Sequence, residues 1–259
     1  LDILERDSIR ALFAAHKFDA LINLAACAGV ADSITDPRAN FETNVVGHFT
    51  LLDLARTYGI QKFVFASTGG AIIGDGRPPL TEDMTPNPLS PYGVSKLVGE
   101  LYAGIFERCY GLSACCLRFS NVYGEYSFHK GNLIPMFIRS AMEGTTANLF
   151  GDGTQERDFI YVGDLVDGIC RVLERDVNGI IQLATGRKTS ANTVAALIAN
   201  SLPDGYRLNW ENHPARSGEV YQTWCDNSKS TRLLGNYAKT SLEEGLKKTI
   251  GWYVGQYRE

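Results

Sequence analysis

Hydrophobic and polar positions follow two periods along the first half of the chain. Residues 8–17 (SIRALFAAHK) space Ile9, Leu12, Phe13 and the alanines as an amphipathic helix, and residues 20–24 (ALINL) form an apolar run of strand length. Asp36 and Pro37 then supply an N-cap and a first-turn proline. Phe41, Val45, Phe49, Leu52 and Ala55 continue at helical spacing to Tyr58, where Gly59 stops the element. Residues 62–66 (KFVFA) read as a buried strand. Ser90 and Pro91 repeat the cap-and-proline signal and open a helix to about Arg108, with Gly111 beyond it and a strand at residues 113–117 (SACCL).

Strands and helices alternating at this pitch predict an α/β fold, a doubly wound parallel sheet with helices on both faces. Ligands of such sheets sit outside the carboxyl ends of the strands, so the informative loops follow Leu24, Ala66 and Leu117. After Tyr123 the texture changes. A loop over 123–132 leads to a helix at 133–143, a Gly151-Asp152-Gly153 turn, a strand at 157–162 and a helix at 163–174. Short elements follow, with an amphipathic stretch at 241–253. The second region is expected to be a smaller lobe interleaved with the first.

Composition narrows the class. With 259 residues, 44% of them hydrophobic, the chain holds one large domain or a main domain with a smaller one. Twenty-five basic against 29 acidic residues, with no long basic run, argue against a nucleic-acid partner. The longest nearly apolar run, 20–31, contains Asn23 and is shorter than the roughly 20 apolar residues of a bilayer span, so no membrane partner is expected. Six cysteines without a CxxC pair read as reduced thiols of a cytoplasmic protein, and four scattered histidines argue against a metal site. The chain starts at Leu1 without methionine, and its first residues read as the end of a strand, so further residues are expected upstream.

The sharpest local signal is YGVSK at 92–96, on a helix whose start Ser90 and Pro91 define. Four residues apart means one helix face, with the Lys96 ammonium beside the Tyr92 phenol. Using a tyrosine as a base near pH 7 costs about 4 kcal/mol, which a neighbouring cation could supply. A YxxxK alone also arises on ordinary surface helices. Directly after the strand at 62–66, however, come Ser67, Thr68, Gly69 and Gly70, which places small hydroxyls at the crevice.

These segments, with LAA at 24–26, NVVG at 44–47, FASTGGAI at 65–72, LRFSNVYG at 117–124 and FGDGTQERDF at 150–159, make the sequence recognisable. It resembles the extended short-chain dehydrogenase/reductases, specifically the nucleotide-sugar epimerase/dehydratase family, and within it the bacterial UDP-glucose 4-epimerases. The likeness runs through the whole chain. It implies a Rossmann-type dinucleotide-binding domain over 1–122 and a substrate-binding lobe over 123–259, with 154–185 returning to the first domain. It also implies NAD as cofactor, a UDP-sugar as substrate and a homodimer built on the helices at 36–58 and 90–108.

By this resemblance Tyr92 is the catalytic base, Lys96 holds the nicotinamide ribose and lowers the phenol pKa, and Thr68, with Ser67 beside it, steers the sugar's C4 oxygen. Asp2 and Ile3 match the adenine end of NAD, and Leu24, Ala25 and Ala26 match the loop along its pyrophosphate and ribose. Asn44, Phe119 and Ser120 match its nicotinamide half. Asn121 matches a contact to the sugar diphosphate, and Asn132, Leu133, Leu149 and Phe150 a nucleotide clamp. Arg157 and Arg216 match diphosphate-neutralising arginines, Glu219 an acceptor for the uridine ribose, and Thr223 a gate on the C2 substituent.

Departures accompany the likeness. The family's GxxGxxG is not found in the sequence, which predicts that roughly 50 to 60 residues, about one βαβ unit plus a strand, are lacking. The family's strand-end His is Asn23, and its tyrosine ahead of the loop-closing Gly74 is Ile73. The acid/base pair of the 4,6-dehydratases is replaced by Gly69 and Gly70, which disfavours elimination. The expected reaction is epimerisation at C4 of a UDP-hexose, of glucose or galactose type or N-acetylated, through a 4-keto intermediate. A nucleotide-sugar 4-reductase or decarboxylase of the same family, or a non-catalytic NAD-binding relative, are the other readings.

Overall fold

The computed structural model describes residues 1–215 and 220–257. Its centre is a four-stranded parallel sheet in the order Ala20–Asn23, Lys62–Thr68, Ser113–Phe119, Gly179–Leu183. The two inner strands are almost wholly buried, which is why they read as unbroken apolar runs rather than alternating ones.

Alternation still decides what each face meets. Phe63, Phe65, Ala114 and Cys116 pack with Leu52, Ala55, Ala103 and Phe106 on one face. Val64, Cys115 and Leu117 pack with Leu165, Ile169, Val172 and Tyr237 on the other. Both faces of the sheet are therefore covered by helices. Another core draws only on residues from Tyr123 onward, among them Phe137, Ile138, Val194, Ile198, Leu246 and Tyr253. It lies under a two-stranded sheet, Thr146–Phe150 with Asn209–His213. Among the described residues no helix is long and apolar enough to cross a membrane.

The helix Pro91–Tyr110 begins where its cap signal lies, with the Ser90 hydroxyl accepting from Gly93 N at 3.1 Å, and ends on Gly111 at φ 72°. The element expected as one helix over 36–58 is more complex. Asp36 accepts from Ala39 N and opens Pro37–Phe41, a π-helical segment follows over Glu42–Gly47, and α geometry resumes over His48–Thr57. A short helix, Val30–Thr35, precedes it. The expected strand at 157–162 is two short strands, Glu156–Arg157 and Phe159–Tyr161, split at the fully buried Asp158. The Asp158 carboxylate accepts from Thr185 N, Thr185 Oγ1 and Gly186 N.

Candidate active site

The strand Lys62–Thr68 ends two residues later than its apolar run, so Ser67 and Thr68 belong to the strand and not to a loop. Helix Pro91–Tyr110 lies against it and presents Tyr92, Lys96 and Glu100, each four residues from the last, on one face. Three successive helix turns thus hold three consecutive strand residues. Lys96 Nζ donates to the Ala66 carbonyl at 2.8 Å, Ser67 Oγ donates to Glu100 Oε1 at 2.6 Å, and the Tyr92 phenol is hydrogen-bonded to the Thr68 side chain.

This corrects the reading of Ser67. Its hydroxyl does not face the crevice; it is buried against Glu100, because adjacent strand residues point to opposite sides. Glu100 is in turn gripped by Arg118, with Nε to Oε1 at 2.9 Å and Nη2 to Oε2 at 2.8 Å. Arg118 pairs with Ser67 in the strand register, and the two charged side chains are 2% and 1% exposed.

The electrostatics of the Tyr92–Lys96 pair also differ from expectation. Burial pushes the Tyr92 phenol up to about 12, with the Thr68 hydrogen bond pulling it down, and burial lowers the Lys96 ammonium to about 8. The ammonium lies over the rings, 4.7 Å from the Phe65 centroid and 5.9 Å from that of Tyr92, and its charge does not hold the phenol acidic in the chain alone.

The loop after the first strand is fastened through its backbone. Asn23 Oδ1 accepts from Ala25 N at 3.1 Å. Asn44, on the π-helical segment, accepts from Cys27 N at 2.8 Å and donates from Nδ2 to Cys27 O and to Ser95 Oγ. Asn44 therefore joins this loop to the helix that carries Tyr92. Leu24 and Ala25 are exposed and Ala26 half-buried on the loop so held. Asp2 is exposed, with its carboxylate accepting from Leu4 N, while Ile3 packs beside Gly47. Phe119 ends its strand opposite Thr68, and Ser120 N donates to Leu183 O.

Asn121, Asn132, Leu133, Leu149, Phe150 and Arg157 all line one cleft of about 440 Å³, bounded on another side by residues 29–32. Asn121 donates from its backbone and from Nδ2 to the Asp158 carbonyl. Arg157 donates to the carbonyls of Glu156 and Tyr221. Thr223 pairs with Arg157, and its Cγ2 lies 3.5 Å from where a Cβ of Gly70 would be, so it packs over Gly70. Arg216 and Glu219 lie outside the described residues.

Patterning did not single out Glu100, Arg118 or His48. Two signals were available: Glu100 continues the four-residue spacing of Tyr92 and Lys96, and Arg118 is a charge inside an apolar strand, which requires a partner. The nicotinamide end of NAD suits what is present. Lys96 has three N–H donors and gives one to Ala66, and it stands at the carboxyl end of the sheet beside the fastened loop.

Comparisons with known proteins bear on the family and the fold. The family model for the NAD dependent epimerase/dehydratase family matches residues 1–184. A putative UDP-glucose 4-epimerase of Methanocaldococcus jannaschii is 38% identical over 243 residues, which is 93% of this chain and 78% of that protein. The crystal structure of the UDP-glucose 4-epimerase of Thermotoga maritima with UDP-glucose superposes with a TM-score of 0.94 at 34% identity, covering 99% of this chain and 84% of that one. The Thermus thermophilus UDP-glucose 4-epimerase complex with NAD gives 0.92 at 29% identity, covering 98% and 84%. The chain belongs to the NAD-dependent epimerase/dehydratase family, and NAD is its cofactor.

Proposed function

We propose that the chain interconverts C4 epimers of a UDP-hexose, with Tyr92 as the base. The observation that carries this reading is the Tyr92, Lys96 and Thr68 constellation at the carboxyl end of the sheet, next to a cleft of nucleotide-sugar size. NAD, its ribose held by Lys96, would supply an acceptor and donor for the C4 hydride. Tyr92 takes the proton of the C4 hydroxyl and gives it back. Thr68 orients the same oxygen through its bond to the phenol, and Lys96 offers its remaining N–H groups to the nicotinamide ribose. Asn44, Phe119 and Ser120 would shape the nicotinamide side, and Asp2, Ile3 and Leu24 to Ala26 the rest of the dinucleotide.

In the cleft, Leu149 and Phe150 with Asn132 and Leu133 would hold the uridine, while Arg157 and Asn121 would face the diphosphate. Arg216 and Glu219 would complete that set. Elimination is disfavoured: positions 69 and 70 carry no carboxylate, and a Cβ at Gly69 would meet Gln182 Oε1 at 2.7 Å and Cys225 Sγ at 3.2 Å. The small Thr223 above Gly70 supports room for an N-acetylated sugar.

The separate core of the second region supports two lobes, 1–122 with 154–185 and most of the remainder of 123–259, although Leu234 and Tyr237 pack with Val64 and Leu117 in the core of the first. Phe49, Val94, Leu101 and Ile105 stand exposed on the helices of 36–58 and 90–108, which supports a homodimer through that face. Six free thiols fit a reducing compartment such as the cytoplasm.

The test is direct. The NAD-loaded protein, given UDP-galactose or UDP-N-acetylgalactosamine, should produce the C4 epimer by NMR with no added NADH, and Tyr92→Phe should abolish turnover while keeping UDP binding. Full turnover by Tyr92→Phe, or no epimer from either sugar, overturns the reading.

A further inference from the structure

Behind the strand end lies a device that the chemistry above does not use. Glu100 and Arg118 form a doubly hydrogen-bonded ion pair in the protein interior, and the same Glu100 Oε1 accepts from Ser67 Oγ at 2.6 Å. Such a pair is a weak source of stability, since matched apolar side chains do as well in the same space. What it does provide is a fixed acceptor. The fork of Arg118 permits one carboxylate orientation, and Arg118 is itself anchored by Nη1 donating to the Glu82 carbonyl at 3.3 Å.

Ser67 and Thr68 are consecutive, so the rotation of one peptide sets both side chains. Ser67 turns into the interior and meets Glu100 in the helix's third turn; Thr68, the last residue of the strand, meets the Tyr92 phenol in the first turn.

We propose that Ser67 and Glu100 are positioning residues, which through the Arg118-locked carboxylate hold the strand end so that the Thr68 hydroxyl is delivered to Tyr92. This rests on the reading of Tyr92 as the base. The role is distinct from that of the crevice residues, because neither side chain faces the cleft.

The test uses Ser67→Ala in the NAD-loaded protein, which leaves the Glu100–Arg118 pair intact and so spares the fold. The expected result is a fall in kcat of about ten- to a hundredfold with KM for the UDP-sugar nearly unchanged. The alkaline shift of two curves should accompany it: the pH profile of kcat, and the phenolate absorbance of Tyr92, read without substrate as wild type minus Tyr92→Phe. Ser67→Thr, which keeps the hydroxyl, should restore most of the rate. In a Thr68→Ala background, Ser67→Ala should add nothing further. A purely structural Ser67 would lower Tm without moving either curve, and its loss would add to that of Thr68→Ala; either outcome overturns the proposal. If Tyr92→Phe itself keeps full activity, the reading of the base fails and the proposal with it; a dead Tyr92→Phe beside a normal Ser67→Ala overturns the proposal alone.

Discussion

His48 and Asn23 hold each other in one protonation state. Nδ1 of the buried imidazole lies 3.1 Å from Asn23 Nδ2, and Nε2 lies 3.2 Å from the Gly99 carbonyl. The amide can only donate and the carbonyl only accept, so Nδ1 is the acceptor and Nε2 carries the proton. Burial first, and the Lys96 charge second, lower this imidazole to about 3, against 6.5 in the unfolded chain. Between those values the unfolded chain binds the extra proton, so stability falls as pH drops from 6.5 toward 3, by about 1.4 kcal/mol per unit. The variant His48→Gln can accept from Asn23 and donate to Gly99 without titrating. Its Tm should therefore fall less steeply over that window, and an identical slope in both proteins would count against the assignment.

Lys96 carries the opposite kind of test, in which losing function adds stability. Burial brings its ammonium to about 8 in the fold, against 10.5 unfolded. The unfolded chain binds the extra proton between those values, so stability climbs with pH from 8 to 10.5, and below 8 the penalty is present in full. Lys96→Met removes it together with the bond to Ala66. The variant should be about 2 kcal/mol more stable than wild type at pH 7 by urea denaturation, and should lose turnover.

Asn44→Ala leaves the Cys27 N–H without its acceptor, while the Cys27 carbonyl keeps the bond from Asn40 Nδ2. The expected loss is about 1–2 kcal/mol of stability, with faster NAD dissociation because the loop over 24–29 is no longer joined to the Tyr92 helix. NAD retained after gel filtration reads the second effect, and unchanged retention would argue that the loop does not serve the cofactor.

Thr223→Tyr fills the space above Gly70. Turnover of UDP-N-acetylgalactosamine should fall at least about tenfold more than that of UDP-galactose. Equal losses on both sugars would remove Thr223 from the selectivity argument.

The sheet and the Tyr92 helix were legible because their signals are local. Ser90 with Pro91 marks one end of the helix, Gly111 the other, and the strands at 62–66 and 113–117 are apolar throughout. The partners of the site residues were not legible. Whether Ser67 faced the crevice or the interior depended on where the strand ended, two residues beyond its apolar run, and on an acceptor 33 positions away. The acidity ascribed to Tyr92 from spacing alone omitted desolvation, which sequence spacing does not record.

The π-helical segment over Glu42–Gly47 is what allows Asn44 and the residues after it to serve two neighbours at once. A wide turn of this kind accommodates one residue more than an α-helical turn would. Upstream of its end, Asn44 looks toward the cofactor loop and Ser95, while downstream Leu51, Leu52 and Ala55 look into the core. Winding these six residues as an ordinary α-helix at the same length would turn one of those two sets about 100° out of phase with its target. Backbone geometry, as well as side-chain chemistry, is therefore constrained at this point of the chain: losing the wide turn would be felt at the Tyr92 helix, through Asn44 and Ser95, as surely as a point substitution in it.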